Sequence, residues 1–296
     1  MKATLVHNPA AGDGVISRDE ILGLLRRARI ESRYQSSDIG ELTAVLGEPA
    51  DLIVVAGGDG TIVKVVAQMP DRAVPVAILP LGTANNIASS FGVGGSLDAL
   101  VRGLRHADLR KLDVGMARGP WGCCHVVEGL GLGALVRVAQ RLGDLKGSRE
   151  EKLRAARKAV RATLKKDEPD RMRIVVDGEC MPREYLMVEI LNIAFAGPRL
   201  PLMPTVDMGD GLFDVVMLEP DQRKEMRRWL DDERPHGSPP LFLRRGRKVS
   251  IEWDGTPLHV DDHVPPPDDG MVELELVGDP VSILVPAVEG RPGVVR

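Results

Sequence analysis

Ile53-Val54-Val55-Ala56-Gly57-Gly58-Asp59-Gly60-Thr61 runs an apolar strand straight into three glycines around one carboxylate, and an apolar helical pattern starts directly behind it. A buried strand that ends in glycines lets the backbone approach closely and turns free N–H groups outward, which is the chemistry of an anion site. Asp59 is out of place in a plain phosphate cradle. A carboxylate repels phosphate unless a divalent metal sits between them, so Asp59 points to Mg²⁺. No Gly-Lys-Ser/Thr follows, so the stretch is not a Walker loop, and its glycine spacing is not that of a dinucleotide fingerprint.

Working outward, short apolar strands alternate with amphipathic helices through the first third, the pattern of a parallel sheet covered on both faces. Strands are predicted at 2–7, 52–56, 74–79 and 109–114, with helices at 61–68 and 96–105. Ser17 and Glu20 have capping-box spacing, and Ile21, Leu24, Leu25 and Ala28 follow at i, i+3, i+4 and i+7. Beyond residue 115 the texture becomes antiparallel. Strand runs are predicted at 171–177, 184–193, 212–217, 248–253, 257–262, 271–277 and 281–286, with turns at Asp177-Gly178 and Asp254-Gly255. Helical stretches are expected at 134–164, broken near 143–147, and at 221–230. The expected architecture is an α/β domain with a doubly wound, mostly parallel sheet over 1–116, then an antiparallel β-sandwich with inserted helices over 117–296. The last residues are left open to packing on the first domain, and the cleft between the lobes is the default substrate site.

Composition narrows the function classes. The 296 residues are 43% hydrophobic and 28% charged, ordinary globular values. Aromatics are 3% and the net charge is −4, which argues against nucleic-acid partners. Cys123, Cys124 and Cys180 lack metal-ligand spacing and are expected to be buried thiols. Residues 1–7 are too short an apolar run for a signal peptide, and the uncharged stretch 73–97 is broken by Pro75, Pro80 and several glycines. The expected location is the cytoplasm. The stretch 137–166 is strongly basic, from Arg137 and Arg141 to Lys165 and Lys166, so peripheral contact with an anionic membrane is a further expectation beside that of a solvated helix face.

Three loops line up at predicted strand ends: Asn8-Pro9-Ala10-Ala11-Gly12, Gly57-Gly58-Asp59-Gly60-Thr61 and Leu79-Pro80-Leu81-Gly82-Thr83-Ala84-Asn85-Asn86. That edge is where open α/β sheets bind ligands. In order and spacing the loops resemble the diacylglycerol kinase catalytic domain family, in its soluble bacterial lipid kinase branch, related to sphingosine kinases and NAD kinases. The resemblance continues through Leu112-Asp113-Val114-Gly115 and Gly209-Asp210-Gly211-Leu212-Phe213-Asp214 to Ile283-Leu284-Val285-Pro286. It implies that Asn8, Gly57, Gly58, Gly60, Thr61 and Thr83 contact ATP, with Gly82 and Asn85 shaping the adjoining loop. It implies that Asp59 acts through Mg²⁺ with Asp113 in the network around it, and that Asp207, Asp210 and Asp214 fall where some members hold a structural Mg²⁺. The implied reaction moves the γ-phosphoryl group of ATP to a lipid hydroxyl, on a diacylglycerol-like lipid or a long-chain amino alcohol. A homodimer is left open.

The sequence also departs from that family. Val63 and Lys64 replace a usual Asn-Glu, and Ala196-Gly197-Pro198-Arg199 replaces a glycine pair ahead of the Asp-Gly-Leu element. The Asp-Gly-Glu whose glutamate serves as general base has two competing counterparts, Asp254-Gly255-Thr256 and Val260-Asp261-Asp262-His263, and neither has the Glu. On the second, His263 takes the base position, and an imidazole with pKa ~6.5 accepts a proton near neutrality. Asp261, Asp262 or no base at all remain alternatives. A nucleotide- or lipid-binding homologue without transfer, and a kinase of a soluble acceptor, stand as rival readings.

Overall fold

The computed structural model describes the chain except residues 15, 39, 41, 143–145, 182–183, 232–236 and 288–296. Two compact units divide it: Met1–Leu112 with the segment that starts at Pro280, and Asp113–Asp279.

In the first unit, β1 (Lys2–His7), α1 (Arg18–Arg27), β2 (Glu31–Ser36), α2 (Thr43–Leu46), β3 (Leu52–Gly57), α3 (Asp59–Gln68), β4 (Val76–Pro80), α4 (Asn86–Ser90), α5 (Leu97–Gly103) and β5 (Asp108–Leu112) follow one another. Ser17 caps α1 by accepting the Glu20 N–H, and Ile21, Leu24 and Leu25 are its buried face, as the spacing predicts. The sheet runs β2-β1-β3-β4-β19-β5, where β19 is Val281–Val285, inserted parallel to β4 and antiparallel to β5. The order places β1, β3 and β4 side by side and parallel, so the three glycine-bearing loops leave adjoining strand ends. β2 is an addition to the sequence reading. Glu-Ser-Arg-Tyr-Gln-Ser has no apolar alternation because it is an edge strand paired only with β1.

The second unit contains β6 (Gly115–Gly119), β7 (Gly122–Val126), β8 (Gly129–Gly133), α6 (Ala134–Leu142), α7 (Arg149–Lys166), β9 (Asp170–Arg171), β10 (Arg173–Val176), β11 (Glu179–Cys180), β12 (Glu184–Tyr185), β13 (Met187–Leu191), β14 (Phe213–Leu218), α8 (Arg223–Trp229), β15 (Phe242–Gly246), β16 (Lys248–Asp254), β17 (Leu258–Val260) and β18 (Asp269–Leu276). Two antiparallel sheets, β11-β10-β16-β18-β6-β7 and β15-β14-β13-β8-β17, form the predicted sandwich. Leu130, Val188, Ile190 and Val215 of one sheet meet Ile174, Val249, Ile251 and Leu274 of the other in one core. The second face of the five-stranded sheet presents Met187, Leu191 and Val216 to a second core built with Leu135, Val160, Leu164 and Trp229 from α6, α7 and α8.

Asp177 and Gly178 both have positive φ, 47° and 88°, and close the expected two-residue hairpin, but onto β11. The run predicted at 184–193 divides instead: β12 pairs with β9, and β13 lies in the other sheet. The break predicted at 143–147 falls partly outside the described residues, and α7 then starts with a complete capping box between Ser148 and Glu151. The expectation of buried thiols is corrected. Cys123 and Cys180 are exposed and Cys124 is half-buried, because β7 and β11 are edge strands of their sheet. Among the described residues no helix is long and apolar enough to cross a membrane.

Candidate active site

In the first unit the strand ladder extends into the loops: the Asn8 N–H donates to the Ala56 carbonyl (2.9 Å) and the Leu81 N–H to that of Gly57 (2.8 Å). Asp59 opens α3, and its two carboxylate oxygens accept the backbone N–H groups of Asn86 (2.9 Å) and Ile87 (3.0 Å) at the start of α4. One side chain thus fastens the loop after β3 to the loop after β4. Gly58 and Gly82 meet at the crossing, where a Cβ on Gly82 would lie 2.5 Å from Gly58 Cα. Asn85, in the left-handed region at φ 50°, accepts the Gly82 N–H (2.8 Å) and returns its own amide N–H to the Gly82 carbonyl (2.9 Å). A Cβ on Gly57 would fall 2.4 Å from Thr61 Oγ1, and the Asn8 amide stands 3.5 Å from that same hydroxyl. Asn8, Gly57, Gly58, Asp59, Gly60, Thr61, Gly82 and Asn85 therefore share one strand edge, with Thr83 exposed beside them. Lys64, one of the two positions at which the sequence departs from the resemblance, donates to the Ser37 carbonyl and ties α3 to the loop after β2.

The acids of the second unit have local partners. Asp113 accepts the Gly211 N–H (2.7 Å), and its carboxyl is raised by burial, with Asp210 and Asp207 adding to the rise. Asp214, also raised by burial, accepts from Arg245 Nε (2.9 Å), and Asp210 pairs with the same guanidinium. Asp207 accepts the Gly209 N–H (3.2 Å). Among the described residues no group of three or more His, Cys, Asp and Glu is arranged to hold a metal ion.

The two competing counterparts of Asp-Gly-Glu look unlike one another. Asp254 closes a turn on itself, accepting both the N–H (3.0 Å) and the hydroxyl of Thr256 (2.6 Å). The Asp261 carboxylate instead accepts the N–H groups of Val127 (3.0 Å), Glu128 (2.8 Å) and Gly129 (3.0 Å), a backbone nest, and burial lifts its pKa to about 6 despite those donors. Asp261 is thereby committed to the fold, while Asp262 and His263 are exposed at the tip of the turn.

Sequence reasoning missed Glu189 and His259. Glu189 on β13 and His259 on β17 both pair with Gly131 on β8, so the three form one row across the sheet. The fully buried Glu189 carboxylate lies over the glycine and meets His259 Nε2 at 3.0 Å. Two signals carried this: a charge inside the apolar run Met187-Val188-Glu189-Ile190-Leu191, and glycines at every second position of Gly129-Leu130-Gly131-Leu132-Gly133. A Cβ on Gly131 would sit 2.2 Å from Glu189 Oε2. Gly131→Ala is expected to lower stability by about 3 kcal/mol, combining overpacking with a weakened buried pair; a thermal melt within about 1 °C of wild type would refute that packing account.

The basic stretch is largely engaged within the unit. Arg137 pairs with Asp167 and Asp170, Arg161 with Asp231, and Arg157 donates to the carbonyls of Pro198 (3.1 Å) and Arg199 (2.7 Å). Lys158, Lys165 and Lys166 remain exposed.

A parallel sheet with linked glycine loops at its strand ends, followed along the chain by an antiparallel sandwich, carries the family matches of a kinase, a phosphotransferase. Residues 2–117 match the diacylglycerol kinase catalytic domain and residues 130–275 the YegS C-terminal NAD kinase beta sandwich-like domain, and the chain belongs to this lipid kinase family. Similar proteins include a diacylglycerol kinase of Bacillus subtilis, 25% identical over 74% of each chain, and one of Mycobacterium tuberculosis, 26% identical over 77% of this chain and 76% of that one. A probable lipid kinase YegS-like of Shewanella frigidimarina is 24% identical over 73% of this chain and 71% of its own. In fold, the chain is similar to a putative diacylglycerol kinase from Bacillus anthracis (TM-score 0.73, 20% identity, 96% and 97% of the two chains). It is more distantly similar to an NAD kinase from Archaeoglobus fulgidus (TM-score 0.53, 14% identity, 96% and 93%).

Proposed function

We propose that this kinase transfers the γ-phosphoryl group of ATP, with Mg²⁺, to the hydroxyl of a diacylglycerol-like lipid or a long-chain amino alcohol. The observation that carries the reading is the joint held by Asp59, which fastens two glycine loops into one cradle at the carboxyl edge of a parallel sheet. Gly57, Gly58 and Gly82 leave no room for a Cβ there, and α3 directs its N-terminus to the same edge, which suits phosphate oxygens. Asn8, Gly60, Thr61 and Thr83 line the cradle, with Asn85 holding its shape.

Mg²⁺ when bound neutralises charge on the transferring phosphoryl group. The isolated carboxylates of this chain suit that ion, which takes one or two protein oxygens and completes its shell with phosphate and water. Asp59 is its ligand in this reading, whereas Asp113 and Asp207 accept backbone N–H groups and Asp210 and Asp214 pair with Arg245, so that these four acids are not gathered round a cation. His263 accepts the proton of the lipid hydroxyl. Asp261 fixes the turn that carries it, and Asp262 stands beside it.

The test is transfer of labelled γ-phosphate from ATP with Mg²⁺ to a lipid panel in micelles, followed by organic extraction. Label in the organic phase is expected. Label that leaves ATP for another aqueous species once NAD or a sugar phosphate is added would instead support a soluble acceptor, and nucleotide binding with no transfer at all would identify a binding protein.

A further inference from the structure

We infer that the buried Glu189–His259 pair is a positioning device that sets the main chain of Asp261 and thereby aims the exposed Asp262–His263 tip; this rests on the reading above for its catalytic meaning. The imidazole lies between two oxygens. Its Nδ1 is 2.8 Å from the Asp261 carbonyl and its Nε2 is 3.0 Å from Glu189 Oε2. A carbonyl only accepts, so Nδ1 carries a hydrogen, and the second contact holds a proton between imidazole and carboxylate.

Asp261 is gripped at every polar group. Its carbonyl accepts from His259, its N–H donates to the Gly129 carbonyl (2.8 Å), and its carboxylate fills the nest at 127–129. Its φ of 51° is in the left-handed region, a conformation that surrounding structure must hold for a non-glycine residue. The turn then closes on itself, with the His263 N–H donating to the Val260 carbonyl (2.9 Å) and the Val260 N–H to that of His263 (2.8 Å). Everything before the tip is fixed, and the tip bears the two titratable side chains.

Packing alone does not account for the pair. Buried ions are commonly no more stabilising than apolar residues of the same volume, so their use here is geometric. Glu189 Oε1 has no hydrogen-bond partner among the described residues, which makes the site dear to build. The charged groups facing the imidazole are Glu189 from β13 and Asp261 from its own turn. Burial works against the imidazolium, but the Glu189 carboxylate, its hydrogen bond and the Asp261 carbonyl outweigh burial and raise the pKa to about 9. The contribution to folding is therefore complete below the ordinary histidine pKa and is lost as pH rises through about 9.

The experiment is NMR of the full-length protein, following the six histidine imidazoles and the amides of 127–129 and 263 from pH 5 to 10. One imidazole is expected to titrate near 9, with the amide of 263 moving at the same midpoint and the amides of 127–129 showing that step in addition to one near 6 from the Asp261 carboxyl they bond. In Glu189→Gln the imidazole midpoint falls by a unit or more. kcat for lipid phosphorylation then drops about tenfold with the KM for ATP unchanged, and the alkaline limb of the rate profile moves toward neutrality. His259→Gln, which keeps a donor but no charge, retains part of the wild-type kcat and flattens that limb. Amides that ignore the titration in wild type overturn the inference without any variant, as does an unchanged kcat in a folded Glu189→Gln. If wild type phosphorylates no lipid, the kinase reading fails separately, and the amide titration still decides whether the pair sets the turn.

Discussion

Asp59→Asn lowers phosphoryl transfer by at least about a thousandfold, roughly 4 kcal/mol of transition-state stabilisation. The carboxylate presents one oxygen to the Asn86 N–H and the other to the Ile87 N–H. An amide retains only one oxygen, and its NH₂ then faces a backbone donor. The start of α4 loses its anionic partner, a local loss of about 1 kcal/mol. The larger effect is on registration: the loops after β3 and β4 are no longer clamped, and the charge that would engage Mg²⁺ is gone. Thermal melting a few degrees below wild type together with near-complete loss of transfer is the expected pair of results. Transfer within tenfold of wild type would remove Asp59 from the catalytic assignment.

Gly82→Ala abolishes nucleotide binding, with affinity for ATP falling more than about a hundredfold and stability by about 2–3 kcal/mol. The added carbon would lie 2.5 Å from Gly58 Cα and 2.8 Å from Asn85 Oδ1. The first obstacle is backbone, which cannot swing aside as a flexible side chain does, so the crossing loops must separate. Separation also strains the bonds that Asn85 makes to Gly82 in both directions. Gly94→Ala is the control, because a Cβ there meets nothing within 4 Å. Titration calorimetry with ATP on both variants checks the prediction, and equal affinities would mean that the close approach of the loops is incidental to the nucleotide.

The parallel half and its three loops were legible because their signals are local. Glycines, a helix start and an apolar strand lie within one stretch at 53–61, and Ser17 with Glu20 announces α1 within four residues. β2 was not legible, since a polar edge strand has no alternating pattern to read. The second half was legible as antiparallel strands, but not their partners. Asp177-Gly178 fixes a turn and says nothing of how far the returning strand runs before it leaves for another sheet. The basic stretch read as one charged surface, whereas several of its arginines reach acids and carbonyls distant in sequence.

By itself the sequence determined β1, β3, β4 and β5 with α1, α3 and α5 in the first half, the sandwich class of the second, and the glycine and aspartate pattern at three strand ends. These depend on side-chain periodicity and on backbone conformations that few residues allow, both of which act between near neighbours. Only the tertiary structure decided that β19 enters the first sheet, that Asp59 clamps the loop after β4, and that Asp261 belongs to a nest and not to the exposed tip. It alone placed Glu189, Gly131 and His259 in one row. Each of these is a contact between segments far apart in the chain, set by strand register and by space a missing Cβ leaves open, and no local pattern encodes which distant partner will fill it.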